Sequence, residues 1–155
     1  LDFACWSTQQ VNPYMHHMLG KTVTFVLAPA DALASVFDHL RERGYSAYLN
    51  PNDKEVAKTF KVDARTVVLR KLNTLHTPVQ DRLLSVEALL VDLSQESERL
   101  SLMDKAEFRQ MAARLVTSGR VDLATLVSYA KLRGVAPEGL FQDVESIISS
   151  FSQNK

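Results

Sequence analysis

Ser85-Val86-Glu87-Ala88-Leu89-Leu90-Val91-Asp92-Leu93 is the most apolar run in the 155-residue chain and lies near its middle. Wound as a helix, it sets Val86, Leu89, Leu90 and Leu93 at i, i+3, i+4 and i+7, one continuous stripe. Ala88 and Val91 carry apolar surface round to the far side, so this helix is expected inside a domain with packing on two faces. Ser85 supplies a good cap. Two carboxylates ride on the run, Glu87 and Asp92. Five helical steps separate their directions by roughly 140°, so they flank the stripe on opposite sides and cannot act together on one substrate atom. Glu87 also falls in the first turn, where the helix dipole favours a carboxylate by roughly 0.3–1 kcal/mol. Both are read as structural.

Upstream of this helix the pattern is mixed. Asp2 to Ser7 is rich in strand formers. Ser7 or Thr8 then caps a helix through Tyr14 to Met18, kinked or restarted at Pro13 and ended by Gly20. Lys21 to Leu27 is the clearest strand, with Val23, Phe25 and Leu27 on one face. Pro29 and Asp31 open a helix striped by Leu33, Val36, Phe37 and Leu40 and closed at Gly44. Tyr45 to Leu49 is a strand, and Asn52 or Asp53 caps a short helix over Glu55 to Phe60. Arg65 to Leu72 is another strand, and Pro78 to Leu84 a weaker one.

Downstream only helices are expected. One starts at Asp104, with Glu107 completing a capping box, and ends at Gly119. The next starts at Asp122 and turns Leu123, Leu126, Val127 and Ala130 inward. A last one starts at Pro137 and is striped by Leu140, Val144, Ile147, Ile148 and Phe151. The fold class is therefore α+β: a small mixed β-sheet flanked by helices, followed by a C-terminal helical bundle. Residues 1–84 form the sheet-rich part and 85–152 the helical part of one domain, joined by the central helix.

With 46% apolar and 23% charged residues, the composition is that of an ordinary globular protein. Eighteen basic and eighteen acidic side chains balance to a net charge of zero, so bulk charge gives no ground for nucleic-acid binding. A lone Cys5 excludes an intrachain disulfide or a multi-cysteine zinc site, and it suits a reducing, cytoplasmic setting. No apolar run reaches the roughly 18–20 residues that span a bilayer. Leu1 to Trp6 has neither the basic start nor the apolar core of a signal peptide. The sequence opens without Met and inside a predicted strand, which suggests a fragment.

Motifs of catalysis are absent from the sequence. His16 and His17 are adjacent, about 100° apart on a helix, and no H-E-x-x-H or Cys/His cluster accompanies them. Neither a G-x-S-x-G elbow nor a Gly-rich phosphate loop is present. Glu55 and Lys58 make only an E-x-x-K. No catalytic residue, metal or cofactor is expected. Residues 120–135 have the look of a helix-turn-helix piece but lack its internal turn. Charge is more telling: Lys58, Lys61, Arg65, Arg70 and Lys71 gather base, while acid gathers later, from Glu87 to Glu107. The five basic residues are the candidate partner- or nucleic-acid-binding stripe, acting by charge complementarity. The plainer alternative is a solvated surface.

Several segments in order carry a resemblance. They are Trp6-Ser7-Thr8, the helix Asp31 to Gly44 with Tyr45 to Pro51, and Thr66-Val67-Val68-Leu69-Arg70-Lys71-Leu72. Ser85 to Leu93 follows, then Val121-Asp122-Leu123 through Tyr129-Ala130 to Arg133-Gly134. Together they resemble the C-terminal domain of the AbiEi-type antitoxins of bacterial type IV toxin–antitoxin systems. That resemblance implies a bacterial, cytoplasmic regulator linked to phage defence. In it an N-terminal winged helix represses the operon, and the C-terminal domain counters a nucleotidyltransferase-like toxin. The winged helix is missing from this sequence, so DNA contact would lie outside it. The toxin's own Gly-Ser and acidic-pair signature is also missing. The alternatives are a diverged nuclease or nucleotidyltransferase-like enzyme domain, and a DNA-binding accessory domain.

Overall fold

Strict alternation makes the centre of a sheet. In β2 (Thr24–Ala28), Phe25 and Leu27 are buried, as is Val23 just before the strand, while Thr24 and Val26 between them are half-buried. β2 lies antiparallel to β1 (Ala4–Ser7), with Trp6 opposite Phe25 in the register. Their rings stack at 4.1 Å and 6°, so the aromatic pair fixes the register as well as filling the face. β4 (Thr66–Lys71) runs parallel on the other side of β2, and β3 (Ser46–Leu49) runs parallel to β4. The computed structural model describes residues 3–15, 22–72, 79–136 and 140. Its chain divides into two compact units, Leu1–Asn12 with Met18–Leu84, and Pro13–His17 with Ser85–Lys155.

In the first unit, β5 (Val79–Gln80) and β6 (Leu83–Leu84) complete a six-stranded mixed sheet of order β3-β4-β2-β1-β6-β5. Parallel neighbours need crossovers, and two helices supply them. Between β2 and β3 runs α1 (Leu33–Glu42), and between β3 and β4 runs α2 (Asp53–Thr59). The stripe Leu33, Val36, Phe37 and Leu40 of α1 packs on Ala28, Val67, Leu69, Val26 and Ala47. Asp31 does not cap α1: its N-cap is Ala32, which makes no side-chain bond. Asn52 does cap α2, accepting from the Glu55 N–H at 2.9 Å.

Two expectations for this part of the chain are corrected. The helix expected from Ser7 or Thr8 is a 3-10 helix over Thr8–Tyr14. Side chains compete locally with α-geometry there: Ser7 Oγ accepts from the Gln9 N–H, Gln10 Oε1 from the Ser7 N–H, and Thr8 Oγ1 from the Val23 N–H. The expected end at Met18 and Gly20 lies outside the described residues. The single strand expected over Pro78 to Leu84 is a hairpin instead. Asp81 and Arg82 both take positive φ, 52° and 67°, as a tight two-residue turn requires. The Cys5 N–H donating to the Arg82 carbonyl at 2.8 Å ties that turn to β1.

The second unit holds α3 (Val86–Leu100), α4 (Lys105–Thr117) and α5 (Leu123–Leu132). Each starts on the predicted cap: Ser85 accepts from the Ala88 N–H, Asp104 from Glu107 and Asp122 from Thr125. α3 is buried nearly all round, with Ala88, Leu89, Leu90, Val91 and Leu93 at 2% exposure or less. Phe108, Met111, Ala112 and Leu115 of α4 are buried as striped. In α5 the inward residues are Leu126, Tyr129 and Ala130, while Leu123 and Val127 are only half-buried. Leu140 is buried too. The remainder of the expected last helix, with Val144, Ile147, Ile148 and Phe151, lies outside the described residues. The fold is α+β, as the hydrophobic patterning predicts.

Candidate functional site

The basic residues singled out from the sequence lie on or beside α2 and β4, next to the edge strand β3, and the structure divides them into two kinds. Gly44 closes α1 at φ +86°, a conformation that suits glycine, and turns the chain into β3. Arg65 locks that turn. Its Nε donates to the Gly44 carbonyl and its Nη2 to the Arg43 carbonyl, both at 3.0 Å, and its guanidinium lies 4.3 Å from the centre of the Tyr45 ring. Asp63 braces the same end: Oδ2 accepts from the Ser46 hydroxyl at 2.7 Å and Oδ1 from the Arg65 N–H at 2.8 Å. At the other end of β3, Arg70 Nη1 donates to the Pro51 carbonyl at 2.7 Å and to Asn50 Oδ1 at 3.2 Å. Both arginines are thus spent on holding loops.

The three lysines are different. Lys58, Lys61 and Lys71 are exposed, and their side chains make no hydrogen bond or ion pair among the described residues. Lys61 is engaged through its backbone: its N–H donates to the Tyr48 hydroxyl, which donates to its carbonyl, each at 3.2 Å. Tyr48 in turn meets Phe60 edge-on, 4.9 Å between ring centres. The five basic residues do not make one stripe. Arg65 and Arg70 stand about 16 Å apart along β4, and Arg70 and Lys71 point to opposite faces because successive strand side chains alternate. What this part of the chain does have is charge. Residues 41–71 carry Arg41, Arg43, Lys54, Lys58, Lys61, Arg65, Arg70 and Lys71 against Glu42, Asp53, Glu55 and Asp63, eight against four, in a chain of net charge zero.

The second unit contains a buried polar network that the sequence reading missed. Asp92, 4% exposed, accepts from Arg133 Nη1 at 2.7 Å and from the Tyr129 hydroxyl at 3.2 Å. Arg133 also donates to Gln95 Oε1 and to the Tyr129 oxygen, each at 2.9 Å. Burial pushes the Asp92 carboxyl from 3.8 up to about 6; Arg133 and the Tyr129 hydroxyl hold that rise back, and Glu96 adds to it. Burial opposes the charge of Arg133 as well, but Asp92, Tyr129 and Glu96 more than offset it and its pKa ends above the ordinary value. Glu87 acts at the other end of α5, where its Oε1 accepts from the Asp122 N–H at 3.0 Å. The two carboxylates therefore hold opposite ends of one helix. Tyr129 and Arg133 are i, i+4 partners, and that spacing opposite an acid on a buried helix was the available signal.

Elsewhere the chemistry is sparse. Cys5 is half-buried, and burial raises its thiol pKa while Arg82 works against that rise. Among the described residues no group of three or more His, Cys, Asp or Glu could hold a metal ion, and no helix is long and apolar enough to cross a membrane. Residues 1–149 match the description of a family of unknown function, DUF6577. The chain belongs to that family. No curated protein and no solved structure matches the chain. The family match runs through both compact units.

Proposed function

We propose that this chain is a non-enzymatic, cytoplasmic regulatory domain of the antitoxin type, which neutralises a nucleotidyltransferase-like toxin by binding it. The observation that carries the reading is the cationic corner around β3, α2 and β4. A neutral chain concentrates an excess of four positive charges between residues 41 and 71, and the side chains of Lys58, Lys61 and Lys71 have no partner there among the described residues. Unpaired surface charge of one sign steers a partner of the other sign and speeds its association. The buried acids are already engaged inside the second unit, Glu87 with the Asp122 backbone and Asp92 with Arg133 and Tyr129. The order of segments that resembles the antitoxin C-terminal domain supports the same reading.

The test is co-expression. A small nucleotidyltransferase-like reading frame beside the gene, expressed alone, should arrest growth, and this chain supplied from a second plasmid should restore it. Growth arrest that persists despite soluble expression of the chain would sink the proposal. A metal-dependent activity on nucleic acid or nucleotides in the purified chain would point to the enzyme alternative instead.

A further inference from the structure

We infer that the outer edge of β3 is a docking site for an extended, acidic segment of a partner protein, which adds to the sheet as a further strand. β3 ends the strand order β3-β4-β2-β1-β6-β5, so one of its sides has no neighbouring strand among the described residues. Parity then identifies the open groups. Ser46 N–H bonds to the Arg65 carbonyl and Asn50 N–H to the Leu69 carbonyl, so Ser46, Tyr48 and Asn50 face β4. The N–H and C=O groups of Ala47 and Leu49 must point the other way, and no partner for them occurs among the described residues. Strand addition to such an edge is a recurrent mode of peptide recognition, with main-chain bonds giving affinity and flanking side chains giving selectivity.

The edge is also prepared in ways an idle one is not. Sheet edges are commonly blunted by charged side chains or proline within the strand, and Ser46-Ala47-Tyr48-Leu49 contains neither. Large apolar side chains stand exposed at both of its ends, Tyr45 at 39% and Leu49 at 38%. Both ends are braced, because Arg65 and Arg70 bond to the loops that enter and leave the strand. Such bracing lowers the ordering cost that an incoming strand must meet. Charge decides the occupant. Arg43 and Arg65 lie at the entrance of β3 with Asp63 against them, Lys58 and Lys61 lie on α2 and the connection after it, and the excess over residues 41–71 is positive. An acidic strand is attracted to that field and a basic one is repelled. A second copy of the chain would bring the same positive corner against itself.

This inference goes beyond the antitoxin reading and does not require the partner to be a toxin. The full chain is titrated with a fluorescent peptide of alternating Glu and Val, with its Lys and Val counterpart, and with the Glu and Val peptide N-methylated at every residue. The methylated peptide keeps its charge but cannot donate a main-chain bond. The acidic peptide is expected to bind with an affinity that falls as salt rises, and to protect the Ala47 and Leu49 amides from hydrogen exchange. Methylation is expected to weaken it by about tenfold or more. Equal binding of the methylated or the basic peptide, or unchanged exchange at Ala47 and Leu49, overturns the proposal. So does protection of those two amides that grows with protein concentration in the absence of peptide, which would assign the edge to a second copy. Failure of growth rescue with a positive peptide result would refute the antitoxin reading alone.

Discussion

Asp92 is almost wholly buried, bonded to an arginine at 2.7 Å, and yet has a raised pKa of about 6. Desolvation and attraction oppose each other there, and desolvation wins. The folded-state pKa lies above the unfolded value of 3.8, so the stability contributed by this group is fully present below pH 3.8 and is lost as pH rises through about 6. A carbon-detected titration of the Asp92 carboxyl should show a midpoint near 6, and a midpoint below 4 would contradict the balance drawn here. Removing the arginine should push the midpoint higher still. Arg133→Met leaves a buried carboxylate without its main partner and should cost about 3–5 kcal/mol at neutral pH. Denaturant melts at pH 5 should show a smaller loss, because Asp92 can take up a proton there. A loss independent of pH would place the effect in packing. At this scale the sequence was half legible. Helical geometry separates Glu87 from Asp92, and they do go to opposite ends of α5. A stripe counted over aliphatic residues favours Val127, whereas burial goes to Tyr129, an aromatic whose hydroxyl has a partner.

Helices that end on their own side chains are the elements most readily read in advance. The caps at Asn52, Ser85, Asp104 and Asp122 each depend on residues three apart, and all four were in the sequence pattern. α3 follows the same logic: apolar surface on two sides predicts burial on two sides, and Leu89 and Leu90 are 2% and 1% exposed. Leu89→Ala or Leu90→Ala should each cost about 2–5 kcal/mol in equilibrium unfolding. A loss well under 1 kcal/mol would mean that the helix relaxes around the deletion. Elements set by distant neighbours were less legible. β6 pairs with β1 through Cys5 and Leu83, and a two-residue strand has too little alternation to announce such a partner. Nor do charged residues such as Asp81 and Arg82 suggest a turn in which both take positive φ. For the same reason the 3-10 geometry of the helix from Thr8 is not legible: Thr8 bonds to Val23, fifteen residues away, and local periodicity carries no trace of that contact.

Across the whole molecule the sequence shows where charge is concentrated but not which charges are available. Five basic residues spaced along 58–71 look equivalent in a sequence, whereas in the fold Arg65 and Arg70 are bound into loops and Lys58, Lys61 and Lys71 are not. Guanidinium groups in good donor geometry stabilise; exposed ammonium groups contribute little to stability and act through the field they create. The two sets should therefore separate in experiment. Reversing Lys58, Lys61 and Lys71 to Glu should leave unfolding stability within about 0.5 kcal/mol of the parent. The same triple variant should slow association with an acidic partner and flatten its dependence on salt, since screening acts over roughly 8 Å at physiological ionic strength and has less to screen once the charges are gone. Arg70→Met should behave in the opposite way. Losing the bonds to Pro51 and Asn50 should cost about 1.5–3 kcal/mol of stability, with the salt slope of binding nearly kept. Stopped-flow association across a salt series, alongside denaturant melts of the same variants, distinguishes them. If the lysine triple binds as fast as the parent at low salt, the positive corner is a solvated surface and the partner docks elsewhere.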